Sequence, residues 1–505
     1  VSVVQEATKP MSEASFRAVP YYVRWLPIGV VLAVALGLRL YQLGEESLWN
    51  DEGFSVRDAQ WPPQGANKAR FLYYLLLHFW MYLGTSDAWL RGLAVLFGMG
   101  CVYLVYVLGY RLLGRSTGLV AASILALSPL EINHSQEIRM YTLATFLGLA
   151  GALALVKYLE VPTRRWFFVW AGLRVLMVCS SPLPASLLLA DAVLLWGRLR
   201  ERMPVVYRYG WVLFALVAYV LPSLAYFVKK MLMGSQAWMD YTLPQPNLWG
   251  ISNKLMSFTA YWPSHEWRSG PDFPSTALAW LYGVYVAVMG ALLVYSLLER
   301  ERLRLRWVAA WGLIPLSALL IFSFFGVRMW MDRYLMFTSP YVALLLAAGG
   351  VRLWQQRRAM AIVVGTVYAL GVGIALVRYY TVIDRPDYRS AIRTLKAHLQ
   401  PGDVIAGQAN YWVFRHYFGR DTQVIGLRLT YPLDPQHQQV HLSLEDAERS
   451  ITRLPLFQKR VWLLHVNFGA VGEMETVRAA IRKYFRIRSH YAFEKVSLYL
   501  LEPLP

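Results

Sequence analysis

The stretch Leu48-Trp49-Asn50-Asp51-Glu52-Gly53-Phe54-Ser55 sets two adjacent carboxylates behind an aromatic residue, just beyond the end of the first long apolar run. Such a pair is either part of a solvated loop or a desolvated site, and a desolvated carboxylate is a competent general base toward a hydroxyl or amine. The theme returns where Ser128-Pro129 ends one apolar run and Asn133-His134-Ser135-Gln136-Glu137-Ile138-Arg139-Met140-Tyr141 opens the next. Glu137 and Arg139 read either as interfacial anchors or as contacts to a polar ligand, because charge left at membrane depth is costly unless it is used. Basic residues complete the inventory: Lys68 and Arg70 precede the short run Phe71 to Leu83, and Arg328, Asp332, Arg333 and Tyr334 precede a later run. Ammonium and guanidinium groups beside a bilayer suit lipid headgroups or a lipid-linked phosphate, held through charge-assisted hydrogen bonds.

Other constellations carry less. His78 stands alone on an apolar run, and His265 with Glu266 is a slightly better pair, yet no HExxH or comparable metal spacing occurs. If a divalent ion takes part, Asp51 and Glu137 are the carboxylates to hold it; no dedicated cofactor is expected. The two cysteines, Cys101 and Cys179, lie in apolar runs, which excludes a disulfide framework and a CxxC site. Trp238, Trp249, Trp262 and Trp267 in one long loop could stack on sugar rings or lie on a membrane. Arg174 and Asp191 fall inside adjacent apolar runs and can neutralise each other.

These residues are positioned by membrane spans. Of 505 residues, 57% are hydrophobic and 16% charged, which excludes an ordinary soluble domain and intrinsic disorder. The net charge of +19 is distributed in short clusters between apolar runs, so topology explains it better than nucleic-acid binding. The expected fold is an all-α polytopic bundle of about eleven transmembrane helices, with a soluble α/β domain after it. The spans are 25–43, 90–112, 117–132, 140–158, 166–179, 181–197, 208–229, 276–298, 307–326, 334–351 and 359–379. Phe71 to Leu83 is too short to cross and reads as a helix on the outer surface. With that assignment the clusters at Arg111 and Arg115, at Lys157 to Arg165, at Arg198 to Arg202, at Arg300 to Arg306 and at Arg352 to Arg358 all face the cytoplasm, as does segment 1–24. The domain 25–380 then carries outer loops 44–89, 132–139 and 230–275, and 381–505 forms an extracytoplasmic module. In that module Asp387 to Leu399 and Glu473 to Tyr484 read as helices, and Asp403 to Ala406, Arg460 to Val466 and Ser497 to Leu501 as short buried strands.

The sequence resembles the GT-C superfamily of polytopic glycosyltransferases, and within it the group containing bacterial lipid A aminoarabinose transferases and protein O-mannosyltransferases. The resemblance rests on LWNDEGFSV after the first span, LYYLLLHFW, RLLGRSTGLVAASILALSPLEINHSQEIRMYTLATF, DRYLMFTSPYVALLLAAG and RPDYRSAIRTLKAHLQPGDVI, in that order over most of the chain. It implies Asp51 as catalytic base with Glu52 supporting it or binding the acceptor, and Glu137 with Arg139 as the second-loop pair. It also implies Lys68 at the lipid phosphate and Arg333 at the donor phosphate; Arg70, Tyr73, Tyr141 and Tyr334 beside these positions are the further substrate-binding candidates. Many relatives carry His-Pro-Pro before their LYY, whereas this chain has Ala69-Arg70-Phe71, a departure beside Lys68.

The chemistry is coherent on its own terms. A sugar on polyprenyl phosphate already has a good leaving group, so transfer needs one base and cations to stabilise the departing phosphate, but no general acid. The expectation is a multi-pass glycosyltransferase of the plasma (inner) membrane. It takes a polyprenyl-phosphate-linked sugar to a lipid, glycan or protein acceptor on the outer face, by direct displacement with inversion. The rival readings are a lipid or glycan transporter, which should carry ionisable residues deep in several spans, and a non-catalytic polyprenyl-glycan binding protein.

Overall fold

The computed structural model describes residues 21–60, 70–196, 225, 246–260, 275–299, 303–325, 329–382 and most of 385–504. Expectations for Lys68, Arg328, the His265–Glu266 pair and nearly all of span 208–229 lie outside the described residues. By its internal contacts the chain forms two compact units, one of Val1–Tyr41, Gly65–Leu83 and Leu90–Thr381, the other of Gln42–Gln64, Gly84–Trp89 and Val382–Pro505. The second unit thus includes the Asp51 segment as well as the C-terminal module.

The first unit is helical. Among the described residues six helices are long and apolar enough to cross a membrane, and a seventh span results if the bent pair Arg115–Leu127 and Pro129–Ser135 counts as one. The chain is therefore a multi-pass membrane protein. Two expected spans are present as helices of fewer than 18 residues: 166–179 lies within Arg164–Ser180, and 181–197 overlaps the apolar helix Leu183–Trp196. Phe71–Met81 is an 11-residue helix packed on Arg164–Ser180. Tyr141–Glu160 and Asp332–Gln356 occupy the centre, with 78% and 89% of their apolar windows buried, whereas Arg358–Thr381 is peripheral at 11%. Where Asp87–Leu113 crosses Arg115–Leu127 a Cβ on Gly118 would lie 2.6 Å from backbone atoms, so only glycine lets the two backbones approach this closely.

Two ends of this bundle have different chemistry. At one, Arg111 pairs with Glu160, and Arg304 donates to the Arg111 carbonyl at 3.3 Å. At the other, Arg39 donates to Ser135 Oγ at 3.1 Å and to the Ala126 carbonyl at 3.2 Å. The 13-residue helix Arg115–Leu127 separates them by roughly 20 Å at about 1.5 Å per residue. Deep in the bundle, Arg174 and Asp191 do pair, with Nε to Oδ2 at 2.7 Å and Nη2 to Oδ1 at 3.0 Å.

The second unit holds a five-stranded mixed sheet in the order 425–427, 404–408, 461–466, 496–503, 485–493. The first three strands run parallel and the last two antiparallel to their neighbours, with Val404 opposite Val461 and Leu463 opposite Tyr499. The fully buried strand Val461–Val466 is apolar but for His465, as a central strand must be. Helices Leu444–Ile451 and Glu473–Tyr484 cover one face through Ala447, Ile451, Val477 and Ile481. Tyr388–His398, capped by the Asp387 carboxylate on the Ser390 amide at 3.0 Å, packs on the two antiparallel strands.

Candidate functional site

Ser128 and Pro129 create the first polar cluster. Proline lacks an N–H and disfavours helical backbone in the residue before it. Ser128 is accordingly extended, its hydroxyl accepts from the Glu131 amide at 3.4 Å, and Pro129 takes the first helical position, where no donor is needed. The helices before and after meet at 62°. This break turns Glu131, His134, Glu137, Arg139 and Tyr141 inward, and all five are buried. Where the sequence suggests an open loop at 132–139, a short helix and a tight turn fold the same residues into the protein.

The hairpin tip is fastened from both sides. Gln136 Nε2 donates to the carbonyls of Arg39 at 2.9 Å and Tyr41 at 2.8 Å, while its Oε1 accepts from the Tyr379 hydroxyl at 2.7 Å. Glu131 accepts from the Ser339 hydroxyl. His134 Nδ1 lies 3.0 Å from Glu137 Oε2, and Asn133 Nδ2 donates to Oε1 at 3.3 Å. A carboxylate only accepts, so Nδ1 carries the hydrogen in this contact. His134 Nε2 and Glu131 Oε2 are buried with no hydrogen-bond partner among the described residues. The Arg139 guanidinium stands 5.7 Å over the Tyr141 ring, and the His134 ring is 5.2 Å from the same ring.

Helix Leu248–Ala260 packs against both this hairpin and the turn Asp332–Leu335. Asp332 is committed there, accepting from Lys254 Nζ at 2.7 Å and Ser257 Oγ at 2.8 Å. Arg333 stands 5.5 Å over the Tyr334 ring. The short helix Pro129–Ser135, which carries Glu131 and His134, and the turn that carries Arg333 and Tyr334 therefore share one neighbouring helix. Arg70 lies at the N-cap of Phe71–Met81 and is half-buried, and Tyr73 within that helix is fully buried against Tyr74.

Asp51 and Glu52 belong to the other unit, on the nine-residue helix Asn50–Asp58. Glu52 is fully buried; its Oε2 accepts from the Trp49 amide at 3.2 Å and faces Arg385 Nη1 at 3.4 Å. Its carboxylate thus fixes the start of the helix, as the acid of a capping box does. Asp51, one residue earlier, is half-buried, and its carbonyl accepts from the Ser55 hydroxyl at 3.0 Å. Among the described residues no group of three or more His, Cys, Asp or Glu side chains is arranged to hold a metal ion.

The sequence motifs point to Glu137 but not to Glu131, Ser339 or Lys254. The His134–Glu137 spacing of three was a usable signal for a pair on one helical turn. Glu131 and Ser339 lie 208 positions apart, and nothing local announces their contact.

Neither the family models nor the curated proteins yield a match to this sequence. Solved structures do. ArnT from Cupriavidus metallidurans bound to undecaprenyl phosphate matches with a TM-score of 0.55 at 13% identity, covering 94% of this chain and 97% of that one. Archaeal oligosaccharyltransferase AglB from Archaeoglobus fulgidus, in complex with an inhibitory peptide and a dolichol-phosphate, matches with a TM-score of 0.53 at 12% identity, covering 95% of this chain and 74% of that one. The chain therefore shares its overall fold with these two solved structures.

Proposed function

We propose that this protein is a membrane glycosyltransferase that moves a sugar from a polyprenyl-phosphate donor to a lipid, glycan or protein acceptor. The observation that carries the reading is the folded-in hairpin 129–141, whose Glu131 and His134 hold buried polar atoms without partners on a fold shared with proteins bound to undecaprenyl phosphate and dolichol-phosphate. An unsatisfied buried polar atom costs about 1–3 kcal/mol. A ligand that makes the missing bond offsets that cost.

In this reading Asp51 takes the proton from the acceptor and Glu52 sets the helix that presents it. Arg333, with Lys68 and Arg70, stabilises charge on the departing phosphate, while Glu137, Arg139, Tyr73, Tyr141 and Tyr334 shape the substrate site. Attack in line with the leaving phosphate inverts the anomeric centre. The gathering of Arg111 and Arg304 at one end of the bundle, away from the hairpin, supports a cytoplasmic basic end and an extracytoplasmic site, and so placement in the plasma (inner) membrane. The module 381–505 then lies outside the cytoplasm. A transporter is less well supported, since the deep Arg174–Asp191 pair is fully engaged within the protein.

The test is direct. Cells lacking the protein should accumulate the donor, and mass spectrometry of their lipid-linked glycans identifies the sugar. With that donor in proteoliposomes, Asp51→Asn should cut release of polyprenyl phosphate by at least about 100-fold, the lower range for loss of a general base, while donor binding persists. Wild-type turnover in Asp51→Asn removes Asp51 as base, and lipid movement between leaflets without sugar transfer would favour the transporter.

A further inference from the structure

The C-terminal segment reaches back to the helix that carries Asp51. A helix of nine residues is too short to hold its own shape in water, since isolated helices below about 12–15 residues are marginal. Its order has to come from what it packs against. In the second unit those partners are Arg385, the helix Tyr388–His398 and the helix Tyr411–Phe418.

The connections are numerous and specific. Arg389 donates to three successive carbonyls, Gly44 at 2.9 Å, Glu45 at 3.3 Å and Glu46 at 3.3 Å, and pairs with Asp87 at 2.5 Å. Tyr417 accepts from the Leu48 amide at 2.7 Å and donates to Asp87 at 2.5 Å. Burial, followed by the charge of Asp87, pushes the Tyr417 phenol upward, so it remains a donor at neutral pH. Arg385 spans Glu46 at 3.3 Å and Glu52 at 3.4 Å. The helices themselves touch at Gly53, where a Cβ would come 2.6 Å from Val413 Cγ2 and 3.0 Å from its amide nitrogen. Arg57, at the far end of the short helix, lies 5.1 Å over the Trp412 ring.

We propose that Arg385 and the helices Tyr388–His398 and Tyr411–Phe418 form a clasp that holds the Asp51 helix in its working position, with Arg385 and Arg389 as positioning residues and the Gly53–Val413 contact as its closest point. The proposal rests on Asp51 being the base. It gives the C-terminal module a task in the reaction: a displacement of about 1 Å in a catalytic group can cost about 100-fold in rate without touching the reacting atoms. Two guanidinium groups spent on one short loop, one of them on three backbone carbonyls, fix main-chain position, which side-chain contacts alone would leave free.

Gly53→Ala separates the two possible roles of this helix. Alanine favours helix over glycine by about 1 kcal/mol, so propensity alone predicts a firmer helix. The clasp predicts the opposite, because the new methyl pushes the helix off Val413. The full chain in nanodiscs should therefore show three things for Gly53→Ala. Amides of 50–58 exchange faster than in the wild type while the strands 404–408 and 461–466 keep their protection. The turnover number for release of undecaprenyl phosphate from an undecaprenyl-phosphate sugar falls by about 100-fold. Affinity for undecaprenyl phosphate itself stays within about twofold, as expected when an interaction made only in the transition state is lost. Adding Val413→Ala, which removes the 2.6 Å contact and leaves the one to the amide nitrogen, should restore part of both turnover and protection, and Arg389→Gln should reproduce the defect. Unchanged exchange and turnover in Gly53→Ala and Arg389→Gln would overturn the clasp. So would a parallel loss of strand protection and affinity, which marks a general folding defect. If Asp51→Asn turns over normally while the exchange changes appear as described, the role of Asp51 falls and the clasp stands.

Discussion

Two buried polar clusters in the membrane unit differ in one respect that separates scaffold from site. Asp191 accepts on both oxygens, Oδ2 from Trp170 Nε1 at 2.8 Å and Arg174 Nε at 2.7 Å, Oδ1 from Arg174 Nη2 at 3.0 Å and Trp311 Nε1 at 2.8 Å. The remaining Arg174 nitrogen donates to the Gly148 carbonyl at 2.8 Å. Nothing in this network is left for a ligand, and it joins Tyr141–Glu160, Arg164–Ser180, Leu183–Trp196 and Leu303–Phe324. The hairpin cluster is equally buried but incomplete, since Glu131 Oε2 and His134 Nε2 have no partner among the described residues. Burial by itself therefore says little about function. The discriminating quantity is whether the buried donors and acceptors are matched.

The comparison breaks most visibly at Asp191. Asp191→Ala should cost about 3–5 kcal/mol, because it leaves a buried guanidinium and two indole N–H groups without their acceptor. Thermal unfolding in detergent measures this, and a change below 1 kcal/mol would refute the scaffold role. His134→Asn is the matching experiment on the other side. The asparagine amide can still donate to Glu137, but the position of Nε2 is empty. Sugar transfer should fall by about 100-fold, equivalent to about 2.7 kcal/mol, while the midpoint of unfolding stays near the wild-type value. A large loss of stability instead would place His134 in the same class as Asp191.

His465 sharpens the distinction from a third direction. Its Nε2 is also buried without a hydrogen-bond partner among the described residues, yet it borders a small cavity lined otherwise by apolar side chains such as Leu427, Ile451 and Val477. Burial lowers His465 to about 4 from its ordinary 6.5, outweighing Glu473 Oε1 at 3.4 Å. A group neutral in the fold but protonated in the unfolded chain contributes stability above pH 6.5 that is lost as pH falls toward 4. Between pH 7 and pH 5.5 the loss should be about 1 kcal/mol. His465→Leu should abolish that increment without affecting transfer. An unmatched atom that faces one buried carboxylate beside an otherwise apolar cavity is a packing feature, unlike the two unmatched atoms of the hairpin.

Much of this was readable from local pattern. The helix Glu473–Tyr484, the strand Val461–Val466 and the helix Tyr388–His398 follow from periodicity and from residue types with strong positional preference. Ser128-Pro129 was visible as an end of a span, but the 62° re-entry that buries Glu131 was not, because proline reports where a helix stops and not where the chain goes next. The placement of Asp51 was the least legible. Its acidic pair and its position after the first span stand out in sequence, whereas its packing partners lie more than 300 residues away at Arg385, Arg389 and Val413.

The sequence by itself determined that the chain is polytopic, where its basic clusters lie and which carboxylates and cations are candidates for chemistry, since hydrophobic length and charge are properties of contiguous residues. Only the tertiary structure decided which charges are consumed by one another. That depends on which atoms meet across tens to hundreds of positions, and hydrogen bonds are satisfied atom by atom in three dimensions.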